Sequence, residues 1–160
     1  MIEINSNCSQ IGGCYSGSAQ ENWLRSDLAA NPTKCTLAFW HHPRFSSGQA
    51  GSPTNMSTIF TDLYNANADV VLTGHDHMYE RFAPQNPSAA ADSSRGVREF
   101  VVGTGGKSLF PWGSIKPNMS VGNNSTFGVL RLTLHPSSYD CKFVPISGQS
   151  FTDSGSTGCH

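Results

Sequence analysis

The chemistry of this sequence lies in its histidines. His75 and His77 stand in Gly74-His75-Asp76-His77, directly after the apolar run Val70-Val71-Leu72-Thr73. His41-His42-Pro43 follows a second apolar run, Cys35 to Trp40. Neutral imidazole is the commonest protein ligand for zinc, iron and related ions. One histidine at a strand end is more often a hydrogen-bonded structural residue. A His-x-His pair after one strand, with a second histidine pair after another, favours a metal site several times over that bland alternative. In α/β sheets ligands bind beyond the carboxyl ends of the strands, so two neighbouring strands would bring these imidazoles to one edge. Gly74 lets the backbone turn there. In extended backbone, residues two apart point the same way, so His75 and His77 are expected to address a common site while Asp76 points elsewhere. Histidine ligands usually lean on a hydrogen-bond acceptor, and Asp76, Tyr79 or Glu80 could supply one. Tyr79-Glu80-Arg81 reads equally well as ordinary packing with an ion pair.

Other candidates carry less. Gly103-Thr104-Gly105-Gly106-Lys107-Ser108 lacks the spacing of a GxxxxGK[ST] phosphate loop, and no helical pattern follows it. Ser46-Ser47-Gly48 is not a GxSxG nucleophile elbow. Arg44 and Lys107 read as surface charge before phosphate contacts. Phe110 and Trp112 read as packing before cleft walls. His135 and His160 read as structural.

The elements that must position the histidines follow from the pattern. Ser18 with Glu21 fits a capping box, predicting a helix to about Ala30 with Trp23, Leu24 and Leu28 on its buried face. Asn31-Pro32 ends it. Residues 35–40 form a strand. Met56, Ile59, Phe60, Leu63 and Tyr64 recur at helical spacing, predicting a helix over about 54–66 that stops at Asn67. Residues 70–73 form the next strand, and residues 84–96 a Pro/Ala/Ser loop expected to be mobile. Glu99 to Val102 is a strand, 107–126 an irregular loop, and Phe127–Leu134 with Tyr139–Val144 a hairpin turning at 135–138. The tail 147–160 is expected to be irregular. Helix–strand–helix–strand followed by strands alone predicts an α/β start feeding an antiparallel β region.

The 160 residues make one domain or less, with a net charge of −1. That balance offers no footprint for nucleic acid or an anionic membrane. No apolar stretch nears the roughly 20 residues that span a bilayer, and the first residues lack the basic and apolar regions of a signal peptide. Charged residues are 13% of the chain, against roughly 25% in a usual soluble domain; Gly, Ser, Asn and Thr fill the gap, as in many exported enzymes. Of the five cysteines, Cys8 and Cys14 bracket a Gly-rich loop and could close a small disulfide. No CxxC pair exists, and an odd count leaves one thiol unpaired in a monomer. Disulfides favour an oxidising compartment. The sequons at Asn7, Asn55, Asn118, Asn123 and Asn124 matter only where the source glycosylates.

Gly74-His75-Asp76-His77-Met78-Tyr79-Glu80-Arg81 resembles the last metal motif of the calcineurin-like metallophosphoesterases, nearest to the purple-acid-phosphatase branch. Phe39-Trp40-His41-His42-Pro43 resembles the motif before it, with His41 in the ligand register. The likeness extends through Val101 to Gly106 and Thr126 to Leu130. It implies the C-terminal half of a metallophosphoesterase β-sandwich flanked by helices, its mixed sheet becoming antiparallel toward the C-terminus, in a single, partial domain over 1–160. It also implies that His41 and His75 bind one metal and His77 another, the ions being Zn, Fe or Mn, with His42 a substitute ligand or phosphate contact. The implied activity is hydrolysis of small phosphomonoesters by metal-activated water. His41, His42, His75 and His77 are thus the candidate catalytic residues. The parent family is secreted or periplasmic.

The family's aspartate motifs (Asp-x-His, Gly-Asp and Gly-Asn-His) have no counterpart upstream of His41. Three outcomes stay open: a truncated form with a partial, mononuclear site; a site completed in a homo-oligomer, favoured by the sheet edge and core face left uncovered; or metal binding without catalysis.

Overall fold

A computed structural model describes all of residues 1–160. Strand β1 (Ile2–Glu3) leads into helix α1 (Ala19–Ala30), strand β2 (Leu37–Phe39), helix α2 (Ser57–Asn65) and strand β3 (Val70–Thr73). Strands β4 (Tyr79–Phe82), β5 (Arg98–Val102), β6 (Met119–Asn123), β7 (Gly128–Leu134), β8 (Ser138–Pro145) and β9 (Ser154–Gly158) follow. The first six strands form one sheet in the order β1-β2-β3-β5-β4-β6; β7-β8-β9 form a second. β1, β2, β3 and β5 run parallel, β4 is antiparallel to both its neighbours β5 and β6, and the second sheet is wholly antiparallel. The expected mixed sheet turning antiparallel is therefore what forms.

Alternation of side chains along the strands builds the layers. On one face Ala38, Val71, Phe82 and Val101 meet Leu24 of α1 and Ile59, Phe60 and Leu63 of α2. On the other, Leu37, Val70, Tyr79 and Phe100 meet Tyr139, Cys141 and Phe143 of β8. α2 has no side-chain N-cap; burial of its apolar stripe holds it. Asn67 stops it in the left-handed region at φ 56, which asparagine tolerates.

Some expectations need correcting. Trp23 is 49% exposed, because the buried stripe of α1 runs through Glu21, Leu24 and Leu28, where Glu21 replaces the aromatic. Ser18 Oγ accepts from the Glu21 N–H, but the Glu21 carboxylate accepts from Gly17 N, one residue earlier than a capping box requires. Residues 79–82, 119–123 and 154–158, without a strand prediction, are strands. The 84–96 loop is tied by Asn86, by Asp92 and by paired hydrogen bonds between Gln85 and Val97. Cys8–Cys14 is a disulfide, Cys35–Cys159 a second, and buried Cys141 is the unpaired thiol.

Candidate metal centre

β2 and β3 are adjacent and parallel, and their ladder continues into the histidines: Trp40 N donates to Leu72 O and Gly74 N to His41 O, each at 3.0 Å. His41 is thereby fixed opposite Gly74. Beyond Gly74 the backbone coils rather than extends. His75 has φ 63, Asp76 N donates to Gly74 O, and Met78 N to Asp76 O. The expectation that His75 and His77 share a direction through extended backbone is therefore corrected.

His41 Nε2 lies 3.2 Å from His75 Nδ1. The His42 ring centroid is 4.5 Å from that of His75 and 4.9 Å from that of His41. Ring nitrogens of His41, His42 and His75, one from each, all lie within 4.8 Å of one another. His77 stands apart, stacked on Phe110 at 4.0 Å, with Nδ1 donating to Ser108 O at 2.8 Å and Nε2 free. The four candidate residues thus divide into a cluster of three and one neighbour. Partial burial, then the charges of His42 and His77, lower the pKa of His41. Burial and His75 lower that of His42, against the opposing bond to Ser6. Both shifts favour neutral imidazole, the metal-binding form. The donor set suits a borderline cation such as zinc.

The proposed acceptors behave differently from expectation. Asp76, Tyr79 and Glu80 hydrogen-bond no imidazole. Asp76 is buried and accepts from Ser46 Oγ and Ala50 N. Glu80 accepts from Ser47 N at 2.9 Å, and its carboxyl lies 2.8 Å from the same Ser46 hydroxyl. Glu99 accepts from Arg44 N and Phe45 N, each at 2.9 Å, and from Thr73 Oγ1. Three buried carboxylates thus clasp residues 44–50, the segment after His41-His42-Pro43, to the sheet. Tyr79 and Arg81 both bind Asp153, which is the packing-with-ion-pair alternative. The groups that hold the rings are the Ser6 hydroxyl, 2.9 Å from His42 Nδ1, and the Ser108 carbonyl, which accepts from His77 Nδ1.

Arg44 lies over Phe45 and donates to Pro87 O, away from the histidines. Phe110 walls the site at His77, whereas Trp112 packs on Gly122. His135 pairs with Asp140 and His160 with Asp69, as structural residues. Gly103 has a role that spacing alone does not disclose. A β-carbon there would sit 2.0 Å from Asp76 O, so only glycine lets the 103–106 loop meet the histidine turn. Gly103→Ala is expected to cost about 1–3 kcal/mol in urea unfolding. A variant as stable as the wild type would mean that the contact yields freely.

No family model matches the chain. It is 40% identical to "Purple acid phosphatase 21" of Arabidopsis thaliana over 75 residues, covering 43% of this chain and 17% of that protein. It is 38% identical to "Purple acid phosphatase 22" of the same plant over 71 residues, covering 41% and 16%. The matched segment thus spans about a sixth of the curated relatives' length. Among solved structures, the yellow lupin purple acid phosphatase PPD1 superposes with a TM-score of 0.73 at 22% identity, over 89% of this chain and 28% of that one. GAP50, "the anchor in the inner membrane complex of Plasmodium", gives 0.77 at 16% identity, over 99% and 48%. The chain thus shares the fold of these two proteins over most of its length, a mixed α/β sheet packed on an antiparallel one. Over some 75 of its residues the chain is similar to purple acid phosphatases, and it spans only part of their length.

Proposed function

We propose that these residues form the histidine half of a metal-dependent phosphoesterase site that hydrolyses small phosphomonoesters. The observation that carries the reading is the convergence of His41 Nε2 and His75 Nδ1 to 3.2 Å at the ends of adjacent parallel strands. His41 and His75 would hold one ion of the Zn, Fe or Mn type, and the free Nε2 of His77 the other. When bound, such ions polarise the phosphate ester and supply a water acidic enough to attack near neutral pH. The chain's own part is to fix the rings. The β2–β3 ladder sets His41 against the turn of His75, the Ser108 carbonyl orients His77, and the Asp76–Glu80–Glu99 clasp holds the segment after His42. The aspartate ligands would have to come from outside these 160 residues or from another copy.

His75→Ala is expected to lower p-nitrophenyl phosphate turnover by at least about 100-fold, and a chelator to abolish it. Turnover that survives either would sink the catalytic reading. The second reading is a non-catalytic metal-binding or assembly module. It is favoured by the likeness in fold to GAP50, which is described as an anchor. Bound metal without turnover would select it.

Two disulfides suit an exported, secreted or periplasmic protein, and no helix is long and apolar enough to cross a membrane. Homo-oligomerisation is the expected state. β7 ends the second sheet with an unpaired edge, and Val129, Leu134, Val144 and Ile146 are exposed there. Sedimentation showing only monomer would remove that part.

A further inference from the structure

We propose that His42 is the third imidazole ligand of the ion held by His41 and His75, so that this chain binds one zinc-type divalent cation on three histidines and no carboxylate. The inference rests on reading His41 and His75 as metal ligands, and extends it to a residue that the purple-acid-phosphatase resemblance leaves without a fixed role.

Geometry carries the first step. A tetrahedral ion with bonds of about 2.0–2.1 Å needs its donor atoms about 3.3 Å apart. The His41–His75 pair is already at 3.2 Å, and a ring nitrogen of His42 lies within 4.8 Å of one on each of the other two rings. Three protein ligands also leave the fourth position open.

Orientation carries the second. His42 is held far more firmly than a half-buried histidine needs. Its backbone N–H donates to Ser6 Oγ at 3.0 Å, its ring Nδ1 lies 2.9 Å from the same hydroxyl, and its carbonyl accepts from the Trp40 indole at 2.6 Å. Ser6 is itself buried, at 3% exposure. With Nδ1–H donated to Ser6, Nε2 carries the lone pair. An outer acceptor selects the tautomer of metal-bound histidine in this way.

The composition of the cluster carries the third. No carboxylate belongs to the trio, and the nearby Asp76 is spent on Ser46 and Ala50. Three imidazoles edge to edge without an anion repel one another when protonated, but share a cation well when neutral. An all-nitrogen set selects zinc or cobalt over magnesium, calcium or manganese. His77 lies outside the trio, committed to Ser108 and Phe110.

The test is titration of the purified chain with Co²⁺, followed by equilibrium dialysis and visible absorption. The expected result is one cobalt per chain with the intense bands of a tetrahedral site, displaced by Zn²⁺ but not by Mg²⁺. His42→Ala and His42→Gln should each weaken binding at least about 100-fold and lose the bands, whereas Ser6→Ala weakens it about 10-fold. His77→Ala should retain the bands. Circular dichroism checks folding, and His42→Gln keeps a partner for Ser6 if the alanine variant is unstable. Unchanged affinity and spectrum in both His42 variants would overturn the inference, as would a wild-type chain that binds no cobalt. A three-histidine ion without turnover would instead overturn only the phosphoesterase reading.

Discussion

Replacing Cys35 and Cys159 together by serine is expected to destabilise the chain by about 5 kcal/mol, whereas the Cys8/Cys14 pair should cost only about 2 kcal/mol. The difference follows from loop length. The first bond closes a separation of 124 residues and the second one of 6. A cross-link removes freedom from the unfolded chain in proportion to the logarithm of the loop it closes. Position adds to the effect. Cys35 lies just before β2, the strand that delivers His41 and His42, and Cys159 just after β9, the outer strand of the second sheet. The bond therefore ties the two sheets together beside Leu37, Val70 and Tyr139. His160 N and Nδ1, both bonded to Asp69, reinforce the tie from the next residue. Urea unfolding of the two double-serine variants measures the contrast. Equal losses, or less than about 1 kcal/mol for the long loop, would show that packing alone docks the second sheet.

The Cys35–Cys159 disulfide marks the limit of what was legible in the sequence. Cys8 and Cys14 are six residues apart around two glycines, so their pairing is a local matter. Cys35 and Cys159 meet only because β9 returns alongside β8, and the segment carrying β9, Ser154-Gly155-Ser156-Thr157-Gly158, has no apolar alternation to announce a strand. β6, Met119 to Asn123, is hidden for the same reason: it is held by pairing with β4, a long-range fact. β3 was legible as a continuous apolar run buried on both faces, and α2 and the β7–β8 hairpin because one face of each is apolar at the right period.

The site divides along the same line. That two histidine pairs lie at strand ends is a local signal. Their meeting depends on β2 and β3 being neighbours, which a short βαβ connection through α2 makes natural. What the pattern missed is the turn after Gly74. With His75 at φ 63 the chain coils, His75 swings to His41 and His42, and His77 swings to Phe110. Ser6 was equally hidden, since it lies 36 residues from His42 on the loop after β1. The carboxylates Asp76 and Glu80 could be singled out by motif, but their task differs from ring support: they hold backbone. Only the segment 44–50 folding back over the sheet reveals that.

The third carboxylate of that clasp predicts a pH dependence of stability. Glu99 is fully buried, and burial pushes its carboxyl up to about 8, against the pull of the Arg44 and Phe45 N–H groups and the Thr73 hydroxyl. Unfolded, it titrates near the ordinary 4.5 of a glutamate. Below pH 4.5 both states hold the proton and the contribution to stability is complete. Between 4.5 and 8 the unfolded chain has lost the proton while the folded chain keeps it, so stability falls as pH rises; above 8 the loss is finished. A difference of that size amounts to on the order of 5 kcal/mol. Burial raises Glu80, and Asp62, raised to about 6 by burial and the nearby Glu21, slopes the same way. Asp92, drawn down to about 2 by the Ser94 and Tyr64 hydroxyls, costs stability only in stronger acid. Urea midpoints should therefore peak near pH 5 and decline toward pH 8. The decline should concentrate in the clasp over residues 44–50, next to His41 and His42. Glu99→Gln should start about 1–3 kcal/mol below the wild type at pH 5, because its amide faces one backbone N–H with a donor. It should then lose less with rising pH, so that the gap closes toward pH 8. A wild-type profile that is flat or rises from pH 5 to 8 would refute the protonated carboxyl, and an undiminished slope in Glu99→Gln would place the proton elsewhere.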